Sequence, residues 1–209
     1  MDASAQYLLS NFGLQINERI YELLEVEFYW YGPDHQDTYA HRHPEQLLSG
    51  YWCFHRATDT PTAAYRNGTF KGLDLALGDG EQYVGVLLRA LYHPDTGAIT
   101  GPCKVVDHIL TQYQVTSIVE LVKSAEPLTI SNNHRRLHLV RLAHPHTDKI
   151  HTGPRVGLRE SKAPEWHVVP YRFCRRYPLI KKQKRSLKPL VVPMDQVLFP
   201  FLQTVIDRV

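Results

Sequence analysis

Cysteine is scarce: three residues, Cys53, Cys103 and Cys174, in a chain of 209. An odd, scattered set argues against a disulfide framework, and with no CxxC pair no cysteine-based zinc module is expected. No stretch approaches the roughly 20 apolar residues of a membrane-spanning helix. The opening MDASAQYLLSNFG has no basic start and no apolar run of signal length, so no secretory leader is expected. Neither sign of charge dominates: 24 basic and 21 acidic residues leave a formal net charge of +3. That balance permits a polyanionic partner without requiring one. There is no internal repeat, no Gly-rich phosphate loop and no G-x-S-x-G nucleophile elbow. An intracellular, soluble monomer of nucleus or cytoplasm is expected, with no membrane partner. The basic run KKQKRSLKP (181–189) has the composition of a nuclear import signal or of a solvated linker.

What is present is apolar and aromatic. The hydrophobic fraction is 43% and the aromatic fraction 11%, enough to bury a real core and to set aside disorder. Twelve histidines are many for this length. His41 with His43, His134 with His138, and His144 with His146 form close pairs. None comes with the cysteines or carboxylates that complete a metal site at familiar spacing, so no metal and no cofactor are expected.

Punctuation by Gly and Pro divides the chain. Residues 2–13 read as a short helix ended by Gly13. Residues 19–31 (RIYELLEVEFYWY) read as an aromatic strand stopped by Gly32-Pro33. Strands are expected at 50–57, 70–78 and 82–92, the last two joined by a Gly-Asp-Gly turn. GPCKVVDHILTQY (101–113) reads as a helix with Pro in its first turn. RRLHLVRL alternates like a strand, 151–161 reads as a loop entering a strand, and 166–177 as an edge strand broken by Pro170. Helical spacing of Val197, Leu198, Phe201, Leu202, Val205 and Ile206 predicts a helix over 193–208. The expected class is α+β: a single domain over 1–180 with a curved, mainly antiparallel sheet and flanking helices, then a basic linker and terminal helix over 181–209.

The strand LLEVEFYWY holds two carboxylates one residue apart. Strand alternation puts Glu25 and Glu27 on one face, with Leu24, Val26 and Phe28 on the other. A charged outer face in water is the plain reading of such a pair. A nucleotide-lining face is the sharper one.

Four blocks support the sharper reading. They are Glu25-Val26-Glu27-Phe28-Tyr29 running into Gly32-Pro33-Asp34 with His35 and His41, then Leu87-Leu88-Arg89-Ala90-Leu91, then Gly101-Pro102-Cys103-Lys104-Val105. The fourth is Arg155-Val156-Gly157, Trp166 and Pro170-Tyr171-Arg172-Phe173. Together, and in this order, they resemble the alkyladenine (3-methylpurine) DNA glycosylase family. Its corresponding blocks are E-T-E-A-Y with a G-P turn, L-L-R-A-L, G-P-x-K-L, and R-V-G with a tryptophan and P-x-R-F.

The resemblance implies a cofactor-free hydrolase that extrudes a modified base from DNA and cuts its N-glycosidic bond, as in base excision repair. It implies Glu27 as general base for the attacking water, with Glu25 supporting it. Tyr29 and His41 (or His35) would pack on the faces of the base. Read from the residues themselves rather than from the resemblance, Tyr65 would add a further aromatic face and Asp74 an acceptor at the base edge. Arg89, Lys104, Arg155 and Arg172 would contact DNA phosphates. The chain also departs from the family. The tyrosine-rich segment that wedges into the duplex is replaced by Tyr51, Trp52, His55 and Tyr65-Arg66-Asn67-Gly68. Asp74 falls near the family's base-reading asparagine, and the loop before His41 is longer. A changed substrate (another base, RNA or a free nucleoside) or a non-catalytic nucleic-acid-binding module are the alternatives.

Overall fold

A 14-residue strand, β2 (Arg19–Gly32), sets the architecture, and its neighbours follow its alternation. The computed structural model describes residues 2–125, 128–130, 136–190 and 202. Helix α1 (Asp2–Asn11) leads into strand β1 (Phe12–Ile16), so the expected first helix gives way to a strand before Gly13. Then come β2, β3 (His35–Gln36), β4 (Ser49–Phe54), β5 (Leu73–Leu77), β6 (Tyr83–His93) and β7 (Gly97–Thr100). Helices α2 (Pro102–Tyr113) and α3 (Ile118–Ala125) follow, then β8 (Leu137–Arg141), β9 (His151–Gly153), the one-turn α4 (Pro164–His167), β10 (Arg172–Cys174) and β11 (Lys188–Pro189).

All strands described belong to one unclosed, antiparallel sheet in the order β11-β9-β10-β2-β6-β5-β4, with β1, β3 and β7 pairing on β2 and β6, and β8 on β1. The class is α+β, in one compact domain. The hairpin β5–β6 closes around the expected glycine turn. β10 lies between β9 and β2, so the segment before the basic run is not an edge strand. The basic run itself contributes β11 to the sheet. The helix expected over 193–208 lies outside the described residues except for Leu202, which is helical and buried. His134 of the histidine pairs also lies outside them.

One face of the sheet is apolar and carries the helices. Phe28, Trp52, Leu75, Val86 and Phe173 meet Val105, Val106, Ile109 and Leu110 of α2 and Leu8 and Leu9 of α1 there. Trp52 is therefore core rather than a stacking platform. A bulge in β2, at Leu23–Val26 against β6, corrects the simple alternation. Leu23 stays in the main core with Val26 and Phe28. Leu24 turns into a second small cluster with Ala90, Cys174, Ile180 and Leu187. The other face carries this small cluster and a polar region, the latter covered by loop segments and by the short 3-10 helix Pro44–Leu47.

Candidate functional site

The polar face is ordered by register. One row across the strands reads Cys53, Asp74, Leu87, Glu27, Arg172, and the next reads Tyr51, Ala76, Gly85, Tyr29. Paired residues of an antiparallel sheet share a face, so Asp74, Glu27 and Tyr29 are held on one side by strand geometry alone. Segments after β3, after β4 and after β9 fold over this face. They leave a cavity of about 460 Å³ lined by Tyr29, Tyr39, His41, Gln46, His55 and Asp74, with Arg42, Asp59, Arg66 and Lys162 also contributing. That volume lies in the range of small-ligand sites. Arg42, Asp59 and Lys162 are exposed and form the rim, with the half-buried Arg66.

Glu27 is fully buried, so the solvated-face reading of the Glu25–Glu27 pair does not hold. Its Oε1 accepts from the Val156 N–H at 2.7 Å. Its Oε2 accepts from the Tyr29 hydroxyl at 2.9 Å and from Arg89 Nη1 at 3.3 Å. Burial pushes the Glu27 carboxyl above the usual carboxylate range, against the opposing pull of Arg89, the Val156 N–H and the Tyr29 hydroxyl. Glu27 does not line the cavity itself. It stands one hydrogen bond behind it, at the Tyr29 hydroxyl. Burial first, and the Glu27 charge second, hold the Tyr29 phenol well above its ordinary pKa, so it remains a donor. The Arg155 guanidinium lies 4.5 Å from the Tyr29 ring centre, which fixes the ring from behind.

Asp74 is also buried. Its Oδ1 accepts from His55 Nε2 at 2.8 Å and its Oδ2 from Gln46 Nε2 at 2.6 Å. Gly85 makes the second bond possible. A Cβ there would meet Gln46 Nε2 at 2.7 Å and Asp74 Oδ2 at 2.9 Å.

His41 lines the cavity, and its Nε2 accepts the Arg56 backbone N–H at 3.1 Å. Its other nitrogen, Nδ1, therefore carries the proton. Burial, with the neighbouring His55 next in weight, pushes its pKa down to about 4. His35 is elsewhere. It stacks on Trp30 at 4.2 Å and bonds the Trp30 carbonyl and the Tyr171 hydroxyl. Of the two histidines, His41 is the one beside Tyr29 and Asp74.

Tyr65 does not line this cavity. It bonds Arg56 at 2.9 Å and lies under its guanidinium in a neighbouring depression. Three of the four expected phosphate contacts are likewise corrected. Arg89 is buried between Glu25 (3.1 Å) and Glu27. Arg155 is buried in a two-pronged pair with Asp37 and also donates to the Phe28 carbonyl. Arg172 is buried against Glu25 (2.6 Å) and donates to the Lys182 and Gln183 carbonyls. The physical reason is common to all three. Buried carboxylates on the polar face need fixed cations, and arginine supplies them with several donors each. Lys104 alone of the four is exposed, on α2. The cations that face the cavity are Arg42, Arg66 and Lys162, which the motif blocks did not reach.

His43, Glu45 and Cys53 bring donor atoms within 4.8 Å of one another, a grouping that pair spacing in the sequence misses. Each donor atom already has a protein partner: His43 Nδ1 accepts from the Glu45 N–H, Glu45 pairs with Arg56, and the Cys53 thiol donates to Glu45. The cluster is explained by these bonds.

The fold and site thus define an α+β protein with a polar cavity on one sheet face and a buried Glu–Arg network beneath it. No known family model matches the chain. A protein of Acanthamoeba polyphaga mimivirus, described as uncharacterized protein L759, is 36% identical over 200 residues, covering 89% of this chain and 90% of the viral one. The chain belongs to one family with that viral protein. Among the described residues, no helix is long and apolar enough to cross a membrane.

Proposed function

We propose that the protein hydrolyses the N-glycosidic bond of a modified base taken out of DNA. One observation carries the reading. A buried carboxylate with a raised pKa stands one hydrogen bond behind the aromatic wall of a ligand-sized cavity with a base-edge acceptor inside and cations at its mouth. The resemblance of the motif blocks to alkyladenine glycosylases supports the same assignment of Glu27, Tyr29 and His41.

In this reading the phosphate backbone lies on Arg42, Arg66 and Lys162, which give affinity rather than sequence choice. The extruded base enters with Tyr29 and His41 as its aromatic neighbours and its edge toward Asp74. A water adds to C1′ as the electron pair of the C1′–N bond leaves with the base. The water's proton passes to the Tyr29 oxygen while the Tyr29 hydroxyl proton moves to Glu27 Oε2. Glu27 is thus the general base through Tyr29. A carboxyl titrating above the usual range takes a proton more readily than an exposed one. Arg89 remains cationic beside it and stabilises the ionised form before the reaction. No cofactor takes part.

A second reading, a base-binding module without catalysis, is favoured by the three donors that already occupy Glu27 and by its position behind the cavity wall. One experiment separates the two. Duplex and single-stranded oligonucleotides carrying alkylated or deaminated bases are incubated with wild type and Glu27→Gln, and abasic sites are scored by alkaline strand cleavage. The glycosylase reading expects cleavage at one class of base and its loss in the variant. Equal binding by both proteins with no cleavage by either would leave the binding module.

A further inference from the structure

We infer that Asp74 makes the cavity selective for a nucleobase that presents an exocyclic amine, and that it rejects bases presenting a carbonyl oxygen at the same edge. This rests on the reading that the cavity takes a base.

An ionised carboxylate accepts hydrogen bonds and donates none, with about four lone-pair positions on its two oxygens. Asp74 uses one for His55 and one for Gln46, which leaves about two, and Asp74 is among the residues that line the cavity. Two ring groups beside it have set roles. His41 gives its lone pair to the Arg56 N–H, so it offers the cavity a donor. Tyr29 spends its proton on Glu27. The Tyr29 oxygen and the Gln46 amide oxygen remain as neutral acceptors, and Asp74 is the acidic side chain among the interior residues that line the cavity.

Two glycines hold this acceptor in place. A Cβ at Gly72 would meet His55 Nδ1 at 2.5 Å, and one at Gly85 would meet Gln46 Nε2 at 2.7 Å. The side chains that clamp Asp74 occupy the room those missing Cβ atoms leave. A clamped, buried carboxylate cannot turn away from an unsuitable partner. An amine N–H placed against it forms a charge-assisted bond, as Asp and Glu do with the cytosine amine. A carbonyl oxygen in that position would set lone pairs against a negative charge away from water. The cavity is also polar end to end. Its mouth carries three cations, Arg42, Arg66 and Lys162, against one carboxylate, Asp59, and its interior carries Asp74. That orients an anionic sugar-phosphate outward and the amine inward.

The test uses duplexes with one purine placed opposite an abasic position, so that extrusion costs are similar across the set. The purine is 2,6-diaminopurine, adenine, unsubstituted purine or hypoxanthine. Binding is followed by fluorescence anisotropy with Glu27→Gln, which prevents release during titration. The expected result is binding of the amine-bearing purines at least about tenfold tighter than hypoxanthine. That ratio should shrink toward one in Glu27→Gln/Asp74→Leu and in the isosteric Glu27→Gln/Asp74→Asn. The ratio in the parent protein is informative even where a double variant folds poorly. Equal binding of all four, or a preference for hypoxanthine, overturns the role of Asp74 and leaves the base cavity standing. Binding of none overturns the cavity reading, and this inference with it.

Discussion

Replacing Arg155 with Met should unfold the protein more than it weakens any ligand. Both side chains of the Arg155–Asp37 pair are 0% exposed. Arg155 also donates to the Phe28 carbonyl at 3.1 Å and covers the Tyr29 ring. Met keeps much of the volume but leaves Asp37 buried and uncompensated. Breaking one side of such a pair costs about 3–5 kcal/mol. Against a whole-domain stability of about 5–15 kcal/mol, that is a large fraction. With a urea slope of about 2 kcal/mol per molar, the unfolding midpoint should fall by roughly 1.5–2.5 M. Arg155→Met/Asp37→Leu removes both charges and should recover more than half of the loss, since the penalty comes from the orphaned carboxylate. Urea unfolding followed by tryptophan fluorescence and by circular dichroism gives all three values. A loss below about 1 kcal/mol in the single variant would refute the reasoning. If DNA affinity and its salt slope fell instead, Arg155 would be the phosphate contact that the motif alone suggests.

Three further outcomes are expected. His41 titrates near 4 in the folded chain against an ordinary value of about 6.5, so its neutral form supports folding fully above about pH 6.5. That support is lost as the pH falls toward 4, because the unfolded chain binds the proton that the folded chain refuses. His41→Gln should therefore flatten the decline between pH 6.5 and 4 by roughly 1–2 kcal/mol after solvent screening, and parallel pH–stability curves would count against it. Gly85→Ala should cost about 1–3 kcal/mol and displace Gln46 from Asp74, because its Cβ would stand 2.7 Å from the Gln46 amide. Thermal melts give the cost, and an unshifted melting temperature would show that Gln46 moves aside freely. Replacing Arg42 or Lys162 with Gln should weaken DNA binding evenly across sequences and lower the salt slope by about one each, read from anisotropy titrations at several salt concentrations. An unchanged slope would remove that residue from the phosphate track.

The long strand β2, the hairpin β5–β6 and helix α2 were legible because each carries both a period and its own punctuation. β1 was not legible, because Gly13 reads as a helix stop, whereas here it sits within a strand paired to β2 and β8. The turn of Leu24 away from the core follows from a bulge, and a bulge is decided by pairing across strands rather than by local alternation.

At the site, Tyr29 and His41 were singled out through the motif blocks and Asp74 through its place near the family's base-reading asparagine, and all three line one cavity. The arginines were misplaced because the resemblance assigned them to phosphates, whereas Arg89, Arg155 and Arg172 are buried against carboxylates. The signal was available in another form. Two carboxylates on a strand flanked by apolar partners need cations on neighbouring strands, and Arg89 and Arg172 are those partners. Gln46 and Lys162 had no such signal. Loop closure over the sheet brings them in, and local sequence does not encode it.

The most direct measurement is a crystal structure of Glu27→Gln bound to a duplex with 2,6-diaminopurine opposite an abasic position. The account expects the base turned out of the helix and seated between Tyr29 and His41. Its amine edge should lie on Asp74, with the flanking phosphates near Arg42 and Lys162. A duplex bound with its base still stacked, or bound on another face with the cavity empty, would contradict it.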